Sequence, residues 1–277
     1  MSGHLLPHDS RSIGMDAAAL SHAANPQLVG FLFHDRAAYG GSLLAIGLGY
    51  MWLVGFPMAA RQRWAWKALA ISGGIGFLAF LTYLGKGYLD TWHGVATLFL
   101  LPVFAAAVWR SKPEAGRPDH VSEVPSQRES RFAVWGRRLL GACASGLVVA
   151  GATIAIFGMT TVFVPSDLAF IGLEPSLQEI SPMLIPLISH DRAGFGGGLC
   201  STGAFLWFVA RYADITRSLV EIVLLMGCVG FGCAIGIHFT VGYTDFLHLL
   251  PAFAGLALFV AAAGLLWTGQ EHVIQHS

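Results

Sequence analysis

Seven apolar runs, each long enough to cross a lipid bilayer, restrict this chain to one kind of fold. They cover about Ala37–Phe56, Trp64–Leu84, Thr91–Trp109, Leu139–Val162, Gly194–Arg211, Leu219–Val241 and Phe246–Trp267. A hydrocarbon core roughly 30 Å thick takes about 20 apolar residues per helix, so each run reads as one span. Only 12% of the 277 residues are charged, about half the share found in soluble domains. The expectation is an all-α, polytopic membrane helical bundle of seven transmembrane helices, with no soluble domain. A formal net charge of zero and the lack of any basic tract give no electrostatic case for nucleic acid. The four cysteines, Cys143, Cys200, Cys228 and Cys233, lie inside apolar runs without paired-thiol spacing and read as small packing residues.

The chain also repeats itself. His34-Asp35-Arg36-Ala37 followed by Gly40-Gly41 recurs as His190-Asp191-Arg192-Ala193 followed by Gly196-Gly197. Gly87-Tyr88-Leu89-Asp90-Thr91-Trp92-His93 recurs as Gly242-Tyr243-Thr244-Asp245-Phe246-Leu247-His248. The first pair of motifs is 156 residues apart and the second 155, so the halves keep register, and a repeat defines the architectural unit. Further upstream, Pro7, Asp9, Ile13, Gly14 and Asp16 align with Pro165, Asp167, Ile171, Gly172 and Glu174. In the second half these residues directly follow the fourth apolar run, so the first half opens where its matching helix would end. This predicts two parallel tandem repeats, the first lacking its first helix: 1–110 with three helices and an outer N-terminal segment, a polar cytoplasmic linker over 111–136, and 137–277 with four helices. A start upstream of Met1, a partner chain, a second protomer of a homo-oligomer, or lipid alone then accounts for the gap. The glycine-rich second and sixth runs are expected to form the central contact between halves, because small residues let membrane helices approach closely.

Twelve of the sixteen basic residues fall on one side of the expected spans. The positive-inside rule then places the N-terminus outside and the C-terminus in the cytoplasm, which suits a cell inner membrane. Residues 1–33 lack the pattern of a signal peptide. All four copies of the polar motifs then face the outer side.

Ionisable groups at membrane depth are costly and call for a reason. Asp90 and His93, like Asp245 and His248, stand three apart on one helix and share a face. Imidazole and carboxylate together suit a transition metal, and carboxylate-x-x-His pairs on facing helices build di-metal sites. The candidate metal ligands are His34, His93, His190, His238 and His248, and the candidate catalytic residues are Asp90, Asp245, Arg36 and Arg192. Against this, Asp35 and Asp191 stand just ahead of apolar runs, where they would cap helices, with the glycine pairs permitting close packing. His238 has no histidine at the matching position of the first half, which marks an asymmetry. The reading with most support is a membrane protein holding a transition metal or haem for redox or quinone-linked chemistry. The alternatives are a small-solute or proton-coupled transporter and a non-catalytic subunit of a membrane complex. The residues do not decide whether it is an enzyme.

Overall fold

The computed structural model describes residues 5–81, 88, 91–113, 130–172 and 177–275, the side chains at 91–93 and 271–275 excepted. Among the described residues every regular element is a helix. In chain order they are α1 (Pro7–Ile13), α2 (Ala17–Ala23), α3 (Pro26–Leu53), α4 (Arg63–Leu81), α5 (Thr91–Arg110), α6 (Arg131–Met159), α7 (Pro165–Ile171), α8 (Leu177–Ile180), α9 (Leu184–Tyr212), α10 (Arg217–Val241) and α11 (Phe246–Gln275). A π-helical turn over Val54–Met58 extends α3 and absorbs Pro57, which has no amide hydrogen to give.

Six helices are long and apolar enough to cross a membrane: α3 with its π turn, α4, α6, α9, α10 and α11. The expected seventh, α5, offers an apolar described stretch of only Gly94–Arg110, short of the roughly 20 residues a span takes. Of the expected linker, 114–129 lies outside the described residues and its last residues already belong to α6.

The His-Asp-Arg signatures do not start helices. Asn25 caps α3, its side chain accepting from the Leu28 amide at 2.8 Å, with Pro26 in the first turn. Asp35 therefore sits more than two turns inside α3, and Asp191 about two turns inside α9, so neither is the cap that its place ahead of an apolar run predicts. The helices continue through these charges because each finds a partner on another helix. At about 1.5 Å per residue the 28 residues of α3 are roughly 42 Å long, more than the hydrocarbon core needs. Its first turns extend into a separate apolar layer made with α1, α2, α7 and α8, built on Leu20, Leu28, Phe31, Leu32, Ile171 and Leu184.

Within that layer α1 and α7 are built alike. Each begins with proline, buries an aspartate (Asp9, Asp167) and ends on a glycine in the left-handed region, Gly14 at φ 80° and Gly172 at φ 68°. That turn is open to glycine and strained for other residues.

The bundle's seam is α3 against α9. A Cβ at Gly198 would come within 2.4 Å of Ser42 Oγ, and one at Gly49 within 2.9 Å of Phe205. Both pairs are 156 residues apart and both partners advance together, so the two helices run parallel and in register. Around the seam, α10 packs along α3 and α4 along α9, so each half wraps the other's central helix. The expected central role of α4 and α10 is thus replaced by α3 and α9. Gly73 and Gly227 instead admit Phe104 of α5 and Phe259 of α11, where a Cβ would lie 2.5 and 2.1 Å from the rings. The hub is α9, with 72% of its apolar window buried against at most 44% for the other spans.

Candidate metal centre

Beneath the layer of α1, α2, α7 and α8, two arginines join α3 and α9. Arg36 on α3 pairs with Asp9 of α1 and, at 2.9 Å from Nε, with Asp191 of α9. Arg192 on α9 pairs with Asp167 of α7 at 2.7 Å and with Asp35 of α3 at 3.4 Å. Each guanidinium thus bridges its own half's short helix to the other half's central helix. Both arginines, expected as catalytic, are occupied holding carboxylates. The four aspartates are buried, and ion pairing with hydrogen bonds is what makes burial of such charges tolerable. Arg192 also donates to the Val162 carbonyl. Val162 has φ 65°, a conformation strongly disfavoured for a β-branched side chain.

Two buried tyrosines complete the network. Tyr88 donates to Asp9 at 2.6 Å and Tyr243 to Asp167 at 2.8 Å. Burial first, and then the adjacent carboxylate charge, pushes both phenols well above their ordinary range, so both stay protonated and act as donors. These residues belong to segments that recur in the sequence. Their chemistry was missed because Tyr88 and Asp9 are far apart in the chain and become partners only when α1 folds over the bundle.

The second-half end adds three histidines. His34 of α3, His238 of α10 and His248 of α11 bring one ring nitrogen each to within 4.8 Å of one another. His34 and His238 are buried and His248 half-buried. His34 Nε2 lies 2.9 Å from His238 Nε2, with the rings edge to face at 4.2 Å. Among the described residues no other group of this kind forms.

The partners of the far nitrogens fix the tautomers. His238 Nδ1 lies 2.6 Å from the Ala234 carbonyl oxygen, which can only accept, so Nδ1 carries the proton. Tyr243 gives its own proton to Asp167 and so accepts, at 3.1 Å, from His248 Nδ1. His34 Nδ1 is 3.0 Å from Asp35 Oδ1, without hydrogen-bond alignment, yet close enough that a lone pair there would face a carboxylate. His34 and His238 thus meet through their Nε2 atoms, while the Nδ1 of His248 is held by Tyr243. At 2.9 Å the two nitrogens are close enough to share a proton or to face one cation. A nitrogen ligand whose other ring nitrogen donates to carbonyl, carboxylate or hydroxyl is the usual dress of a metal-binding histidine.

No protein family, curated protein or solved structure matches this chain.

The geometry suits a small ion better than a macrocycle. Axial ligation of haem by two imidazoles holds their nitrogens about two metal–nitrogen bonds apart, roughly 4 Å at about 2 Å each, with the porphyrin between the rings. The direct contact of His34 with His238 leaves no room for it.

The remaining expected residues fall elsewhere. His190 pairs with Asp191 at 2.9 Å and meets Tyr88 edge to face at 5.2 Å, outside the group of three. Asp245 is exposed and accepts from the His248 amide at 2.7 Å, capping α11, whereas the His248 ring turns to Tyr243. Asp90 and the side chain of His93 lie outside the described residues.

Proposed function

We propose that this chain is a seven-span inner-membrane metalloprotein of duplicated origin, N-terminus outside, that binds one transition-metal ion through Nε2 of His34, His238 and His248. The observation that carries the reading is the convergence of one ring nitrogen from each of three histidines within 4.8 Å, with an acceptor or carboxylate beside the Nδ1 of each. Three protein ligands leave a coordination position for water or substrate, the arrangement of catalytic rather than purely structural sites. Neutral imidazoles suit zinc, copper and iron. Because the site lies at the rim of an apolar bundle, a lipid-soluble substrate such as a quinone is the partner it fits, with copper or iron supplying the redox chemistry. The test is elemental analysis of protein purified without chelators, beside a His238→Ala/His248→Ala variant. About one copper or iron per chain, lost in the variant, supports the whole reading. Zinc alone supports the metal centre and contradicts the redox role. Metal-free wild type that also fails to take up added ions contradicts both.

A second reading is favoured by the 2.9 Å separation of His34 and His238, which is hydrogen-bond length, whereas tetrahedral ligation would spread the nitrogens to roughly 3.4 Å. A proton shared between two imidazoles would serve a proton-coupled transporter. Flux in proteoliposomes that collapses in His34→Gln and is indifferent to chelators would select it.

A further inference from the structure

We infer that Tyr243 is a positioning residue for the ion, the link through which metal binding closes a ring of side chains across the bundle; this rests on the metal reading above. The ring starts at His34 on α3 and passes to its neighbour Asp35, 3.0 Å away. Asp35 reaches Arg192 on α9 at 3.4 Å, and Arg192 reaches Asp167 on α7 at 2.7 Å. Asp167 accepts from Tyr243, in the turn between α10 and α11, at 2.8 Å, and Tyr243 stands 3.1 Å from His248 on α11. The step from His248 back to His34 has no hydrogen bond within the protein, and on the metal reading the ion closes it, with His238 of α10 as its third ligand. Occupancy therefore fastens α10 and α11 to the seam of α3 and α9. Tyr243 sets which nitrogen of His248 is free to bind and aims its ring.

The molecule contains its own control. Tyr88 makes the same hydroxyl–carboxylate bond to Asp9, and Asp9 meets Arg36 as Asp167 meets Arg192. Among the described residues no group of three ligand atoms stands beside Tyr88. Removing either phenolic oxygen takes one donor from one buried carboxylate, and at Tyr243, alone among the described residues, it also strips the partner of a metal ligand. The ring of Tyr243 stacks on Phe170 at 4.6 Å, and phenylalanine keeps that contact.

The experiment is cobalt(II) titration of the purified full chain in detergent, read by its visible d–d absorption, for wild type, Tyr243→Phe and Tyr88→Phe. Tyr243→Phe is expected to weaken cobalt binding about 10- to 100-fold, the usual effect of losing an outer partner, and to alter the band shape, with Tyr88→Phe near wild type. Equal weakening in both variants, or none in Tyr243→Phe, overturns the positioning role while leaving the metal centre standing. Wild type that binds no cobalt removes the metal reading and the ring together. A readout that needs no variant is the ¹⁵N spectrum of zinc-loaded wild type. Hydrogen on His248 Nδ1 and metal on Nε2 is expected, and the reverse tautomer overturns the inference.

Discussion

At the level of single residues, His238 distinguishes the surroundings of Tyr243 from those of Tyr88. It brings the third nitrogen to the pair His34 and His248, and sequence comparison of the halves marks it because no histidine stands at the matching position. Replacing it with alanine is expected to lower metal affinity by more than the roughly 10- to 100-fold typical of an outer-shell loss, whereas His190→Ala leaves the metal content of the purified protein unchanged. Elemental analysis of the two variants checks both statements, and equal metal loss would contradict them. The tyrosines give a pH dependence. Tyr88 and Tyr243 are raised above the ordinary phenol value of about 10. Their protonated state therefore adds no pH dependence below that value, and stability falls as pH rises from about 10 towards the raised values. Alkaline difference absorbance is expected to show late-ionising phenols whose amplitude falls by two tyrosines in the Tyr88→Phe/Tyr243→Phe variant. Ionisation of all six tyrosines in one step near 10, with the fold intact, would count against buried donors.

Among the elements, the glycines separate close packing from open surface. Gly197 faces Ala79 of α4, where a Cβ would come to 2.0 Å from the alanine's own, while Gly40 has nothing within 4 Å. Gly197→Ala is therefore expected to cost about 1–3 kcal/mol or more through overpacking, and Gly40→Ala to stay within roughly 0.5 kcal/mol. Thermal denaturation in detergent compares them, and similar melting points would refute the close packing of α9 on α4. Six of the seven apolar runs fall on helices long and apolar enough to cross a membrane, because length and hydropathy are local properties. Where α3 and α9 begin was not legible, since whether a His-Asp-Arg run ends a helix or enters it depends on partners more than 150 residues away. Arg192 for Asp35 and Arg36 for Asp191 are those partners.

For the molecule as a whole, the interval that relates the motifs in sequence reappears as contact: residues 156 apart meet along the α3–α9 seam, and the two arginines cross it in opposite directions. Arg192→Met would leave Asp35 and Asp167 buried without their cation, at an expected cost of about 3–5 kcal/mol in unfolding free energy; a loss under about 1 kcal/mol would mean the network contributes little to joining the halves. The repeat motifs identified the polar end of the bundle but not its division of labour. Asp245 and His248 share a helical face, yet one caps the helix and the other points to Tyr243, a difference fixed by α7 and its Asp167. The most direct measurement is anomalous diffraction at the absorption edge of a loaded ion. One peak per chain, about 2 Å from Nε2 of His34, His238 and His248, is the expected result. Its absence at full loading, or a peak held by other residues such as His190, would contradict the metal centre.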